Sequence, residues 1–529
     1  MAVLGSYLLN LDEATLRPPA LWQSPEAEEE DDAAAAIPWV LVDLLAYVAD
    51  HRNSTTAFSR SACGKEIQVT FFLARPPRVS YFCVFCPGRD HTEIPIEPDI
   101  LAMEDNLVLL RIVVSPEKDL RQGSDLYMYQ ADGGDDGGPL LERLPRHPGG
   151  CCFSSGQVGL LRCSDRHGNN CDTKDRYVVA TLHDVYQEGV SDHLPEDAAD
   201  PGPDERFALC VYDSKLCAWS VKLVSLDQQQ QQQHQPQGRF LHFNSKVITI
   251  GGETGTMGFV DLWRGILLCD VLSGEHKLRY IPLPPPIVPD EEVRPGMVPD
   301  RVVSGDPRLS RDIAVINGCI KYVERQMKWK PVLTKYGRYT FDGWMAKTWS
   351  LPVAAAHCFE DWSDIVHSDD TIVYNNPHFE LLPKPQGKEG QSLSPFKGLA
   401  ICNPALSLND DENTIYFVCK INPEDDKAWV IEINMVSNEL LGVAQFAAER
   451  TCVDNYTYAH SRISKYLTGA TGCGFRGSLK RPGHTLAQSS SKKHPNVNMV
   501  PLEKLLAELG AHSKCTSAMA EDGDNMILD

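Results

Sequence analysis

The chain has 529 residues, with 50 basic and 72 acidic side chains and 42% apolar residues. That apolar share excludes a disordered polyanion or a collagen-like chain, and a net charge of −22 opposes general affinity for nucleic acid or anionic membrane, which needs concentrated positive charge. At 58.8 kDa, roughly 75–80% of the extended chain's surface can be buried, enough for one large core or two to four ordinary domains.

In chain order, Asp12 and Glu13 stand where a secretory signal needs basic residues and then an unbroken apolar run, so export is not expected. Residues 24–32 (SPEAEEEDD) place six carboxylates in positions 26–32, a self-repelling run closing a flexible acidic leader over 1–36. The most apolar window, Ala33–Ala49, is broken by Pro38 and Asp43 and is shorter than the ~20 residues a spanning helix needs; it reads as core strand plus short helix. From Ile37 onward apolar residues alternate with period two, the signature of strands. Runs at Glu66–Leu73, Arg78–Cys86, Leu107–Val114, Tyr177–His183, Met257–Trp263, Gly265–Val271 and Cys319–Glu324 qualify. Two hairpins stand out. Phe207, Leu209 and Val211 lead through Asp213-Ser214 to Cys217, Trp219, Val221 and Leu223. Ile415, Phe417, Cys419 and Ile421 lead through Asn422–Asp426 to Trp429, Ile431, Ile433 and Met435, with Glu432 and Asn434 opposite, which predicts one buried face.

Polar, glycine-rich or proline-rich connections fall at Asp132–Pro139, Asp197–Glu205, the glutamine tract at 227–238, Pro284–Pro307 and Pro383–Pro395. The β-rich body is expected to end at 455. A basic Gly/Ser-rich linker then fills 456–499, and an amphipathic helix and acidic tail occupy 500–529. The helix opens at Pro501, carries Leu502, Leu505, Leu506 and Leu509 on one stripe and stops at Gly510; it either packs back on the body or serves as a partner-binding peptide.

Hairpins ending in a Trp-bearing strand recur in VYDSKLCAWSVKL, FDGWMAKTWSLP and INPEDDKAWVIEI. This predicts a mainly β chain of antiparallel hairpins, with residues 37–455 forming a propeller-like body of six or so irregular blades and one short C-terminal helix. Two packed β-sheets, or two β-rich domains, are the alternatives.

MGFVDLWRGILLCDVLSGEHKLRYIPLPPP at Met257–Pro286 resembles the signature of a plant family of uncharacterised proteins, the domain of unknown function family 1618. Further matching segments are RDIAVINGCIKYVE (Arg311–Glu324), DGWMAKTWSLP (Asp342–Pro352) and NPALSLNDDENTIYFVCK from Asn403, with IPWVLVDLLAYVADHRNSTTA (Ile37–Ala57) and PPRVSYFCVFCPG (Pro76–Gly88) resembling the N-terminal part that accompanies it. The resemblance implies no activity, cofactor or site residue. The GFVDLWRGILLCDVL…LRYIPLPPP segment is also similar to hairpins of F-box-associated and kelch-type propellers, although no F-box pattern precedes it. Within that segment Phe259, Asp261 and Trp263 are expected on one strand face and Val260, Leu262 and Arg264 on the other. Trp263 then serves blade packing or an exposed rim, and Asp261, Arg264 and Asp270 serve a salt bridge or a channel lining.

The chemistry-bearing motifs are thin. Cys83 and Cys86 lack the second pair a zinc knuckle needs, and three residues apart on a strand they point to opposite faces, so buried thiols are expected. Cys151, Cys152, Cys163 and Cys171 with His147 and His167 form the other local cluster. Gly472-Cys473-Gly474-Phe475-Arg476-Gly477 has the letters of a dinucleotide motif without its strand–helix context. The carboxylate pairs Glu291-Glu292, Asp369-Asp370, Asp410-Asp411 and Asp425-Asp426 sit in turns. No catalytic, cofactor or metal residue is therefore assigned, and no cofactor is expected.

Residues 461–499 reverse the charge, with seven basic side chains and no acidic one. Lys480-Arg481 and Lys492-Lys493 form a bipartite spacing suited to nuclear import or an acidic partner, against the simpler reading of a solvated linker. The expectation is an intracellular, cytoplasmic or nuclear, non-transmembrane and non-enzymatic module that presents its loops to an unknown protein partner. The alternative is an enzyme or small-molecule receptor with a site distributed over the central face of the β body. A deep polar pocket with clustered Asp, His and Arg separates the second from the first.

Overall fold

The computed structural model describes residues 11–19, 37–87, 94–114, 124–134, 137–147, 154–163, 176–185, 207–227, 240–274, 277–287, 306–332, 338–354, 362–368, 372, 377–384, 396, 399–409, 413–421, 425–446 and 458–467. The chain is mainly β. A first group of strands comprises β1 (Val40–Asp43), β2 (Tyr47–Val48), β3 (Ala57–Arg60), β4 (Glu66–Phe72) and β5 (Val79–Phe85). The second is β6 (Asp99–Glu104), β7 (Leu107–Val113), β8 (Ser124–Gln130) and β9 (Leu140–Arg143); the third is β10 (Val158–Cys163), β11 (Arg176–Asp184), β12 (Phe207–Asp213) and β13 (Ala218–Leu226). A fourth holds β14 (Lys246–Gly251), β15 (Thr256–Asp261), β16 (Gly265–Asp270) and β17 (Lys277–Pro282), and a fifth β18 (Arg311–Ile316), β19 (Cys319–Val332), β20 (Arg338–Pro352) and β21 (Ser363–Ser368). The sixth is β22 (Ala400–Leu406), β23 (Thr414–Lys420), β24 (Ala428–Asn434) and β25 (Glu439–Phe446), after which β26 (Tyr458–Ser461) returns to the first.

Groups two to six are antiparallel meanders, each strand paired with the next in sequence. The third and fourth merge into one eight-stranded sheet through a short parallel pairing of β13 with β17. In the first group β26 pairs antiparallel with β1, from Val40 opposite Ser461 to Asp43 opposite Tyr458. The first strands of successive meanders then lie beside one another, β6 by β10, β10 by β14, β14 by β18 and β18 by β22, and β22 lies beside β26. The first group meets β6 through Ala46 N–H to Pro98 O and Ile100 N–H to Leu44 O, both 2.8 Å.

Period two explains the packing. One face of each meander lies against the preceding meander and the other against the next, so alternate residues enter alternate apolar layers. Phe259 and Leu267 pack with Val178 and Leu209 of the third group, whereas Val260 and Leu268 pack with Ile313 and Tyr322 of the fifth. Trp344 and Val323 meet Phe417 and Ile431, while Tyr416, Val418 and Val430 meet Trp39, Leu41 and Tyr458. Six such layers follow one another and the last joins the sixth group to the first. Each large side chain sealed in a layer contributes roughly 1.5–3 kcal/mol.

Several expectations need correction. The hairpin of β23 and β24 buries both faces, because meanders flank it on either side; every residue of β23 is buried. Met257–Trp263 is not one strand, since the chain turns at Leu262–Arg264 to form the hairpin of β15 and β16. The body does not end at 455. Tyr458 and Ile463 are fully buried, and β26 with the 3₁₀ turn Ile463–Tyr466 belongs to the fold rather than to a linker. Part of the 1–36 leader also packs on the body: Glu13–Leu16 forms a 3₁₀ turn with Thr15 buried, and the Asp12 amide donates to Glu97 Oε1 at 2.9 Å. The Trp recurrence marks no single position, as Trp219 lies on the fourth strand of its meander and Trp344 and Trp429 on the third strand of theirs. Two packed sheets or two domains give way to five sheets within one unit, Met1–Cys473. The glutamine tract from 228, the acidic run at 26–32 and the helix at 501–509 lie outside the described residues.

Candidate binding site

The first strands of the meanders, with β26, surround a cavity of about 130 Å³. Every group contributes to its wall, represented by Leu44, Glu104, Leu160, Lys246, Val315 and Leu408. Close approach of the strands at the cavity depends on two glycines. A Cβ on Gly159 would fall 2.6 Å from Val247 Cγ1, and one on Gly156, whose φ is +88°, would fall 2.2 Å from the Ser245 carbonyl.

One carboxylate gathers three first strands and β26. Asp312, only 2% exposed at the start of β18, accepts from Lys246 Nζ of β14 at 2.5 Å. Its other oxygen accepts the Leu406 amide of β22 at 3.1 Å, and Nδ1 of His460 on β26 lies 3.8 Å from that oxygen. Burial, reinforced by the positive charges of Lys246 and Arg462 and only partly opposed by Asp312, pushes the His460 pKa down to about 3, so the imidazole is neutral. Its buried Nδ1 makes no hydrogen bond.

Elsewhere on the wall Glu104, at the end of β6, shares a hydrogen bond with the Thr249 side chain, and the Thr249 hydroxyl donates to the Leu160 carbonyl at 2.7 Å. Burial, together with the Asp105 carboxylate and despite Arg462 and Thr249, pushes the Glu104 pKa up to about 8. Arg308 completes the polar lining. It forks onto Asp306, with Nε–Oδ1 at 2.9 Å, and its Nη1 donates to the Ser155 carbonyl at 2.8 Å. The cavity thus carries cationic donors, a largely protonated carboxyl and a neutral imidazole, a set suited to holding a small polar molecule.

None of these residues was singled out by motif. Lys246, Asp312 and Glu104 are charges on strands otherwise apolar enough to be core, which is the one sequence signal they carried. Of the residues that sequence did single out, Cys83 and Cys86 are buried thiols and enter different apolar clusters, as opposite strand faces require. Among the described residues no three His, Cys, Asp or Glu side chains gather as a metal site would need; Cys151, Cys152, Cys171 and His167 lie outside them. Asp261 pairs with Arg264 at 2.9 Å and accepts the amides of Trp263 and Phe243, which makes it the anchor of a turn. Asp270 accepts from Thr256 at 2.5 Å; neither it nor Asp261 lines the cavity. Trp263 is half-buried, with the Arg311 guanidinium 4.2 Å above its ring, and Arg311 pairs with buried Glu324. Lys480, Arg481, Lys492 and Lys493 and the glycine motif at 472–477 lie outside the described residues. No helix among the described residues is long and apolar enough to cross a membrane.

Fold and cavity define a β-rich body with a cavity lined by polar and apolar groups. A family model described as a protein of unknown function, DUF1618, matches residues 259–416, the stretch from β15 into β23. No curated protein matches the chain. Among solved structures, the α-L-arabinofuranosidase Arb93A from Fusarium graminearum, in complex with an iminosugar inhibitor, is similar at 11% identity, covering 77% of this chain and 85% of that one, with a TM-score of 0.22. A glycoside hydrolase of family 32 from Bifidobacterium adolescentis is similar at 9% identity, covering 80% and 75%, with a TM-score of 0.14. At such scores these likenesses carry no argument about the chemistry of this chain.

Proposed function

We propose that this chain is a non-enzymatic binding protein of the plant DUF1618 type, its six groups of strands acting as the blades of a propeller and its axial cavity holding a small polar ligand. The observation that carries the reading is the convergence of Lys246 and His460, from two different groups and both beside the Asp312 carboxylate behind them, on the cavity that Glu104, Arg308 and Arg462 also line. Polar groups buried at a concave site where many elements meet are the general form of a small-molecule site. This shifts weight from loops that present a protein surface to the central face. Support for a protein-interaction surface is thinner: among the described residues the exposed large apolar side chains are scattered over different groups, and only Leu241 and Phe243 stand close together in sequence.

The test is a thermal-shift screen of the full chain against small polar metabolites, repeated on Ala459→Phe, which fills the cavity from β26. A ligand that raises the melting temperature of the wild type and not of the variant is the expected result. A screen without any shift, or a shift unchanged in the filled variant, would refute the site. The basic stretch beyond the body is proposed, separately, to engage an acidic partner or to direct nuclear import. A reporter fusion that keeps its nuclear signal after Lys480, Arg481, Lys492 and Lys493 become Ala would sink the import role.

A further inference from the structure

A buried histidine outside the cavity lining holds the segment that leads into β14. Residues 240–245 belong to no strand, and His242 among them is 4% exposed. Its Nε2 faces two acceptors, the Phe259 carbonyl of β15 at 3.1 Å and Asn244 Oδ1 at 3.0 Å. The same Asn244 side chain donates through Nδ2 to the Leu182 carbonyl of β11 at 2.5 Å. Nε2 therefore carries the proton and Nδ1 the lone pair. Nδ1 is buried and makes no hydrogen bond, so a second proton there would be a charge without an acceptor. A flip of the ring would not help, because both nitrogens of the cation donate. The nearby charges give no relief. Asp261, at the end of β15, already accepts from Arg264 Nη1 at 2.9 Å and from the Phe243 and Trp263 amides, and Arg264 itself opposes a positive charge on the ring. β11 carries His183, bonded to Thr181 at 2.9 Å, and Asp184, a buried carboxylate with partners of its own. β17 carries Tyr280, whose hydroxyl donates to the Arg264 carbonyl. Phe207 of β12 meets the ring edge-on and Phe240 stacks on it. Burial accordingly pushes the His242 pKa down to about 4.

We propose that His242 is a proton-released latch: while neutral it ties residues 240–245 to β15 and β11, and in mild acid its protonation frees them. The release is local, because the segment has no strand ladder of its own and already exposes Leu241 and Phe243, whereas the sheets keep their ladders. The segment runs directly into Ser245 and Lys246 of the cavity wall, so the latch borders the cavity without depending on the small-ligand reading.

Hydrogen exchange of the full chain tests it, read by mass spectrometry on peptides covering residues 240–245 and β23 and corrected for the intrinsic rate at each pH. The Phe243 amide, on Asp261, and the Ser245 amide, on the Val260 carbonyl, report the latch. With the open form protonating near pH 6.5 and the latched form near 4, their protection is expected to fall about thirtyfold from pH 7.5 to pH 5, while β23 keeps its own. His242→Gln retains an N–H donor and takes up no proton, so its protection over 240–245 is expected to be equal at the two pH values. His242→Phe keeps a ring and likewise takes up no proton; it covers a glutamine variant that fails to fold, and equal protection at the two pH values is expected of it as well. A wild-type fall of less than about threefold, a fall as large in either variant as in the wild type, or a fall that occurs only together with that of β23 would each overturn the latch.

Discussion

Replacing Glu104 by Gln removes a titrating group whose folded and unfolded pKa values differ widely, and the effect on stability has a definite sign. In the folded chain burial pushes the pKa from 4.5 to about 8. Between these values the folded state holds a proton that the unfolded state has released. The stabilisation is therefore fully present below about pH 4.5 and is lost progressively as pH rises through about 8. At about 1.4 kcal/mol per unit the ceiling is roughly 5 kcal/mol; Glu104 is half-buried, and solvent screening brings the expected loss to about 2–4 kcal/mol. Gln keeps the shape and cannot ionise. Its stability should match the wild type near pH 5 and exceed it by that amount at pH 8.5, or by a few degrees in Tm for a chain of this size. Urea midpoints and thermal scans of both proteins at half-unit steps from pH 5 to 8.5 give the difference profile, in which every titration common to the two cancels. Parallel profiles across that range would refute a neutral Glu104.

The opposite slope is expected of His460, whose pKa is pushed down to about 3: its contribution is present above about pH 6.5 and lost as pH falls toward 3, so His460→Gln should lose less stability than the wild type between pH 6.5 and 4 in the same thermal scans. Asp312→Asn should cost about 3–5 kcal/mol in urea denaturation, because it leaves Lys246 buried without its counter-charge. Adding Lys246→Met should recover part of that loss, and additive costs in the double variant would contradict a coupled pair. A chain cut after residue 455 lacks β26 and should fail to give a cooperative melt, whereas a cut after 467 should melt like the full chain.

What was legible in the sequence follows from where each strand sits. The strands recognised by alternation, such as β4, β7, β11, β16 and β23, lie inside their sheets, with both faces in apolar layers and few charges. The strands that line the cavity escaped the same test. β6 ends in Met103-Glu104, β10 carries Gly159 and Arg162, β14 opens on Lys246, and β18 opens on Arg311-Asp312. Lining a polar cavity breaks a clean period of two, so the property that builds the site also hides its strands. β26 was missed for another reason. Four residues, Tyr-Ala-His-Ser, have no period to speak of, and only pairing with β1 from the other end of the chain makes them a strand. The two-sided burial of β23 was likewise invisible, since a single sequence shows a hairpin's own pattern and not its neighbours on either side.

The polar cluster and the closure of the ring are one feature. A four-residue strand has little apolar content to fix its register, and a slip of one residue would send every side chain to the opposite face. In β26 the register is held instead by groups that fit only one way. The Tyr458 hydroxyl donates to the Asn403 carbonyl at 3.0 Å, Ser461 Oγ accepts the Ile463 amide at 3.2 Å, and His460 faces Asp312. A one-residue shift would turn Tyr458 out of its layer and carry His460 away from the carboxylate that also holds Lys246 and the Leu406 amide. Since a buried ion pair adds little net stability over well-packed apolar residues, its value here lies in specifying how the last strand closes on the first. Closure in that register also brings Arg462 to the cavity wall.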